Sequence, residues 1–170
     1  MKRTARIASS RRRQPLREER AQYRSGLPGP LYCDTSALLK LYLSEPGSQE
    51  FNQTVEGRND LLVSDLAVTE TVSALARRFR QRQLTSGIAR RIQHAILAGY
   101  AEGLFHRVEL SPDVHRRAEH LLLSLTRTPL RAADALHLAL ATWARATSVA
   151  SFDARLRAAA RAVGLSTYPE

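Results

Sequence analysis

Short apolar runs alternate along this chain with longer segments in which apolar residues recur at helical spacing. Runs this short, bounded by turn residues, are typical of buried strands. They predict strands at residues 31–33, 61–63, 106–110, 148–151 and 165–168. The longer segments predict helices at residues 36–43, 48–55, 65–81 and 85–103, a helix that starts at residue 111, and helices at 131–146 and 153–164.

Strands that alternate with helices predict a parallel sheet covered on both faces. We therefore expect an α/β fold, a Rossmann-like three-layer α/β/α sandwich with a central parallel sheet of about five strands. The 170 residues of the chain are the size of one domain. No Gly-rich loop follows a predicted strand, which argues against a dinucleotide-binding or P-loop function.

The positive charge is concentrated at the N-terminus. The formal net charge is +10, and residues 1–30 contain nine Lys or Arg against two Glu. We predict a basic, disordered extension at residues 1–29 and a folded domain at residues 30–170, the extension having incidental affinity for polyanions. The single Cys33 excludes an internal disulfide, and no apolar stretch reaches membrane-spanning length. A cytoplasmic protein with no membrane partner is expected.

Two acids follow predicted strands directly. Asp34 comes after the first strand and Asp153 after the fourth, and ligands collect at the carboxyl ends of parallel strands. If these two strands are neighbours in the sheet, the two carboxylates stand side by side and need a cation. Taken alone, each acid is better explained as the N-cap of the helix that follows it.

Asp134 is the only formally charged residue between Arg131 and Arg145, in a helix that is apolar on nearly all sides. A carboxylate in a buried helix is costly unless it is paired or binds a metal. An ion pair with Arg131 is the alternative. Of the four acids, Glu70 has the weakest support from the sequence as a site residue.

The predicted helix at 65–81 places Val68, Val72, Leu75 and Phe79 on one face, which we expect to be core. Glu70 lies opposite that face, where a solvent-exposed Glu is also expected.

Four acids without clustered His or Cys residues favour a hard divalent cation, Mg²⁺ or Mn²⁺, over zinc. His137 is interpreted as a packed or hydrogen-bonding residue rather than a ligand. Nothing in the sequence resembles a nucleophile elbow.

Four segments in order resemble the PIN domain family, and specifically the toxin component of bacterial VapBC toxin–antitoxin pairs. The resemblance covers residues 30–168 and rests on the segments YCDTSALLKLY at 32–42, SDLAVTE at 64–70, RAADALHLA at 131–139 and SFDARL at 151–156. It implies a Mg²⁺- or Mn²⁺-dependent ribonuclease whose acidic cluster is Asp34, Glu70, Asp134 and Asp153. It also implies that Ser36 and Ser151 are supporting polar residues near the metal. A cognate antitoxin partner and a homodimer are further family expectations.

The function expected on this basis is endoribonuclease cleavage. Asp34, Asp134 and Asp153 hold one ion directly, and Glu70 binds it through water or helps to hold a second ion. Exposed arginines hold the RNA backbone: Arg77, Arg78, Arg80 and Arg82. One alternative is a non-catalytic module that binds nucleic acid or protein, in which the acids only cap helices or pair. Another is a metal nuclease that acts in RNA processing or on single-stranded DNA.

Overall fold

A single five-stranded parallel sheet organises the computed structural model, which describes residues 26–170. Its strands, in the spatial order β3-β2-β1-β4-β5, are β1 Leu31–Cys33, β2 Leu61–Ser64, β3 His106–Val108, β4 Ser148–Ala150 and β5 Ser166–Tyr168. The predicted α/β fold with a central parallel sheet is confirmed. The predicted extension at residues 1–29 lies, up to residue 25, outside the described residues.

Seven helices connect and cover the strands within the described residues. They are α1 Thr35–Tyr42, α2 Ser48–Val55, α3 Asp65–Arg80, α4 Ser86–Ala101, α5 Pro112–Ser124, α6 Ala132–Trp143 and α7 Ala154–Ala162. None of the helices in this part of the chain is long and apolar enough to cross a membrane.

Alternate strand residues separate two cores, because successive side chains of a strand point to opposite faces. Leu31, Cys33 and Val63 pack with α1, α2, α3 and α4. Tyr32 and Val149 pack with α5, α6 and α7 on the other face. This alternation gives the predicted three layers.

The first and fourth strands are neighbours, which meets the condition for placing Asp34 and Asp153 at the same edge of the sheet. Cys33 is paired with Ala150, and the Asp34 backbone N–H donates to the Ala150 carbonyl at 3.1 Å. The chain passes from β1 to β2 and β3 on one side of the sheet, and β4 and β5 lie on the other side. Strand order therefore reverses between β1 and β4, which is where open α/β sheets bind their ligands.

The prediction of the buried face of α3 is correct for Leu75 and for the partly buried Val68, but it is wrong for Phe79. Leu75 is buried, but Phe79 is 47% exposed, and the other buried positions are Ala67, Thr71 and Ala74. The small side chains of these residues allow α3 to pack closely against α1, a contact that the larger apolar residues would prevent. Glu70 lies between Ala67 and Ala74 on the helix surface and so is brought toward α1 rather than to open solvent.

The start of the described chain contacts the domain. Arg58 Nη1 donates to the Leu27 carbonyl at 2.9 Å, and Ser148 Oγ donates to the Pro28 carbonyl at 2.5 Å. Residues 27 and 28, which were assigned to the extension, thus pack beside the sheet.

Candidate active site

Four acids from separate parts of the chain line one groove at the carboxyl end of the sheet. Asp34 follows β1, Glu70 belongs to α3, Asp134 lies in the first turn of α6, and Asp153 precedes α7. The groove is also lined by Thr35, Ser36, Ser73, Arg77 and His137. All four acids predicted as site residues therefore face the same groove.

Asp34 lies at the base of the groove and is 4% exposed. Its Oδ1 accepts from the Ala37 N–H at 2.8 Å and from Ser36 Oγ at 2.7 Å, and its Oδ2 accepts from Ser151 Oγ at 2.6 Å. Burial raises the pKa of the Asp34 carboxyl, because desolvation outweighs the opposing effects of His137 and of these hydrogen bonds. The carboxylate is held in one orientation by its donors.

The two supporting serines connect Asp34 to the loop that carries Asp153. Ser36 Oγ accepts from the Phe152 N–H at 2.7 Å, and Ser151 Oγ accepts from the Asp153 N–H at 3.1 Å. Ser36 and Ser151 therefore position the predicted acids relative to one another.

Asp34 and Asp153 both cap helices, as the simpler interpretation of each acid predicts. Asp153 Oδ1 accepts from the backbone N–H groups of Arg155 and Leu156, at 2.7 and 3.4 Å. Helix capping uses only Oδ1 of Asp153, and its Oδ2 accepts no hydrogen bond within residues 26–170.

Asp134 also caps a helix, because it accepts a hydrogen bond at the start of α6. It forms no ion pair with the Arg131 side chain. Its Oδ2 accepts from the Arg131 backbone N–H at 3.0 Å. The guanidinium within reach is that of Arg155, with Nη1 3.9 Å from the same oxygen. A carboxylate in the first turn is also favoured by the helix macrodipole.

Glu70 is half-buried and held at one oxygen. Thr35 Oγ1 donates to Glu70 Oε2 at 2.5 Å, and His137 Nε2 lies 2.9 Å from the same atom. The hydrogen bond from His137 lowers the pKa of the Glu70 carboxyl, with a smaller contribution from Thr35 and against the effect of burial. Glu70 Oε1 has no hydrogen-bond partner in the described part of the chain.

The donor set fits a hard divalent cation, since it consists of carboxylate oxygens with hydroxyls behind them and no thiolate. Glu70, Asp134 and Asp153 each keep an oxygen without a hydrogen bond to residues 26–170. As placed, however, no group of three or more His, Cys, Asp or Glu side chains in the described residues is arranged to hold a metal ion. The four acids line the same groove, but their carboxylates do not converge on one position in it.

Sequence reasoning missed four contributors to the groove and its support: Tyr32, Thr35, Ser73 and Arg155. Thr35 is adjacent to Asp34, but nothing in the sequence connected it to Glu70 in another helix. His137 is buried and hydrogen-bonded, as predicted. Of the predicted RNA-binding arginines, Arg77 lines the groove, whereas Arg78 forms an ion pair with Glu45.

The fold, the acidic groove and the order of its residues define a family. The PIN domain model matches residues 31–162. The chain belongs to the PIN domain family.

Two relatives of similar length share about a third of their residues with this chain. Ribonuclease VapC45 from Mycobacterium tuberculosis strain CDC 1551 / Oshkosh is 34% identical over 141 residues, which are 82% of this chain and 94% of the relative. Ribonuclease VapC49 from strain ATCC 25618 / H37Rv gives the same values.

Two crystal structures share the fold. One is Mycobacterium tuberculosis VapC20, described as a Sarcin-Ricin loop cleaving toxin, with a TM-score of 0.62, 17% identity and coverage of 76% of this chain and 95% of that chain. The other is FitAcB from Neisseria gonorrhoeae, with a TM-score of 0.62, 17% identity and coverage of 82% and 96%.

Proposed function

We propose that this protein is a Mg²⁺- or Mn²⁺-dependent endoribonuclease and the toxin of a toxin–antitoxin pair. The observation that carries the proposal is that acids from four separate elements line one groove at the switch point of the sheet. The relatives named Ribonuclease VapC support RNA as the substrate. The activity is proposed to operate on cellular RNA in the cytoplasm.

Asp34, Asp134 and Asp153 are proposed to hold one cation directly, and Glu70 to bind it through water or to help hold a second. When bound, the cation would supply Lewis acidity at the phosphoryl oxygens and a water of lowered pKa. Ser36 and Ser151 keep the Asp34 oxygens oriented. A neighbouring carboxylate would accept the proton of the attacking water as the water oxygen bonds to phosphorus. The P–O bond to the leaving ribose oxygen would break, and that oxygen would take up a proton from solvent.

The first test is the effect of Mn²⁺ on thermal unfolding of the wild type and of Asp153→Asn. A ligand that binds only the folded state stabilises it by about 2.7 kcal/mol at 100 times its dissociation constant. We expect a saturable rise in melting temperature in the wild type and its loss in Asp153→Asn, because that carboxylate no longer offers a charged ligand.

Asp113→Asn is the matched control for this titration, since Asp113 lies in the first turn of α5, outside the groove. It should keep the full response to Mn²⁺. No rise in the wild type up to millimolar Mn²⁺, or an equal rise in Asp153→Asn, would reject the acidic groove as a metal site.

Arg77 is proposed to contact the RNA backbone, because it is exposed and lines the groove. Replacing it with Ala should weaken binding uniformly across RNA sequences. The plot of log affinity against log salt concentration has a negative slope, and this slope should become less steep by about 0.7. That is the value for one phosphate contact of a single strand. The binding is measured in an Asp34→Asn background, so that cleavage does not interfere.

Arg91→Ala is the control for Arg77→Ala, since Arg91 is an exposed arginine of α4 that does not line the groove. It should leave the salt slope unchanged. Equal slopes for wild type, Arg77→Ala and Arg91→Ala would remove Arg77 from the RNA-binding surface.

A non-catalytic module is the second candidate, and the capping roles of Asp34 and Asp153 favour it. It requires that RNA binding persist, without cleavage or metal affinity, when the acids are neutralised. The Mn²⁺ titration separates the two candidates.

A cognate antitoxin is the proposed protein partner, and a homodimer is proposed for the toxin itself. The relatives named VapC support the antitoxin. A small reading frame next to the gene, whose product co-purifies with this chain and inhibits cleavage, is the expected finding. Cleavage that no neighbouring product inhibits would favour an RNA-processing role.

A further inference from the structure

A buried tyrosine hydroxyl lies beneath the acidic groove. Tyr32, in the middle of β1, has no exposed surface, and its hydroxyl is 2.8 Å from both Ser64 Oγ and His137 Nδ1. A hydroxyl placed in an apolar layer costs free energy unless it is hydrogen-bonded. A phenylalanine would fill the same space without that requirement. The role of the Tyr32 hydroxyl is therefore to hydrogen-bond Ser64 and His137.

The network ends at Glu70. His137 is 4% exposed, and its Nε2 lies 2.9 Å from Glu70 Oε2, the same oxygen to which Thr35 donates. The two carboxylate oxygens of Glu70 therefore differ in their hydrogen bonding. Oε2 is held by two partners, and Oε1 has none within residues 26–170.

The hydrogen bond to Glu70 requires a proton on His137 Nε2, because the carboxylate of Glu70 can only accept. In the neutral imidazole, His137 Nδ1 accepts from the Tyr32 hydroxyl, which accepts from Ser64. In the imidazolium, Nδ1 donates to Tyr32, which donates to Ser64, and the hydrogen bond from Nε2 to Glu70 is the same. Ser64 Oγ is free to donate, because its lone pair accepts from the Ala67 N–H at 3.1 Å.

The network begins and ends on the same helix. Ser64 is the N-cap of α3, and Glu70 lies less than two turns further along α3. Between them the connection passes through β1, which ends one residue before Asp34, and α6, which contains Asp134. The position of Glu70 is thereby tied to the elements that carry two of the other acids.

From this geometry we propose that Tyr32 and His137 are positioning residues that hold Glu70 Oε2 and direct Glu70 Oε1 into the groove. The inference rests on the proposed function, since Oε1 has a role only if the groove binds a cation. Partners that orient a metal-binding carboxylate typically change metal affinity or activity by 10–100-fold when they are removed.

Tyr32→Phe is the most conservative test, because it removes one hydroxyl and keeps the ring. We expect the Mn²⁺ dissociation constant of the folded protein to rise by roughly 10-fold, and kcat for RNA cleavage to fall while KM is unchanged. Tyr100→Phe is the matched control: the Tyr100 hydroxyl donates to the Val63 carbonyl at 3.1 Å and touches none of the acids. It should change neither quantity.

A pair of His137 variants provides the second arm. His137→Gln keeps an N–H donor that can reach Glu70, and His137→Leu removes it. We expect Gln to retain more Mn²⁺ affinity than Leu by roughly 10-fold, although both variants lose the imidazole. This comparison holds even if Tyr32→Phe fails to fold, which circular dichroism would show.

Nitrogen NMR of the metal-free wild type gives a reading that is independent of activity. It should show His137 with its proton on Nε2. A proton on Nδ1 alone, or wild-type Mn²⁺ affinity and kcat in folded Tyr32→Phe, would overturn the positioning role while the wild type still binds Mn²⁺ and cleaves RNA. Failure of the wild type to bind Mn²⁺ at all would instead overturn the proposed function, and this inference with it.

Discussion

Replacing Asp34 with Asn should abolish RNA cleavage and, at the same time, raise the melting temperature of the metal-free protein. We expect the rate to fall by about a thousandfold or more, which corresponds to about 4 kcal/mol of activation free energy. Asn keeps an oxygen for the Ala37 N–H and Ser36 Oγ, and its amide can donate to Ser151 Oγ. The fold is therefore preserved.

The gain in stability follows from the raised pKa of the buried Asp34 carboxyl. In the pH range between its unfolded and folded pKa values, the folded state holds a proton that the unfolded state has lost. Stability consequently falls as the pH rises through that range. At neutral pH the wild type carries this penalty and Asp34→Asn does not.

Asp153→Asn is the matched comparison for Asp34→Asn. Both variants should lose cleavage, but Asp153 is exposed, and Asn is an equally good N-cap. Asp153→Asn should therefore leave the melting temperature unchanged. The higher melting temperature of Asp34→Asn relative to the wild type should disappear below about pH 4. In that range the wild-type carboxyl is protonated in both the folded and the unfolded state. An advantage that persists there, or wild-type cleavage by Asp34→Asn, would contradict this assignment.

Replacing Phe51 with Ala should destabilise the protein by about 3–5 kcal/mol, as expected for loss of a buried aromatic side chain. Phe51 is fully buried in α2. Its ring centroid lies 5.8 Å from that of Phe152 and 5.3 Å from that of Tyr168. The cluster packs α2 against the loop that precedes Asp153. Urea unfolding measures the change.

The same replacement at Phe79 is the control, since Phe79 is 47% exposed in α3. It should cost less than about 1 kcal/mol. A similar loss of stability in both variants would contradict the proposed packing of Phe51. Loss of cleavage in Phe51→Ala at temperatures where the variant stays folded would show that this cluster also holds the loop before Asp153.

The sequence predicted the sheet, its helices and the positions of three of the four groove acids, because each depended on a local pattern. Asp34 and Asp153 follow short strands, and Asp134 interrupts an apolar helix. Parallel strands place such residues at one edge whatever the details of packing. The pairing of β1 with β4 then brought two of these acids together.

Glu70 shows where the sequence pattern was insufficient. The largest apolar residues of α3 suggested one buried face, but close packing against α1 selects the small residues Ala67, Thr71 and Ala74 instead. That choice depends on the shape of a second helix, which periodicity within α3 does not contain. The contacts among Tyr32, Thr35 and His137 were beyond sequence reasoning for the same reason, since they join residues far apart in the chain.

The measurement that tests the central claim most directly is cleavage of total bacterial RNA by the purified protein, first in chelator and then at increasing Mn²⁺ concentrations. We expect no cleavage in chelator and a saturable recovery of cleavage as Mn²⁺ is added. The midpoint of that recovery should equal the dissociation constant from thermal unfolding, and Asp34→Asn should stay inactive throughout. Cleavage that persists in chelator, or that Asp34→Asn carries out at the wild-type rate, would contradict a metal-dependent ribonuclease built on this groove.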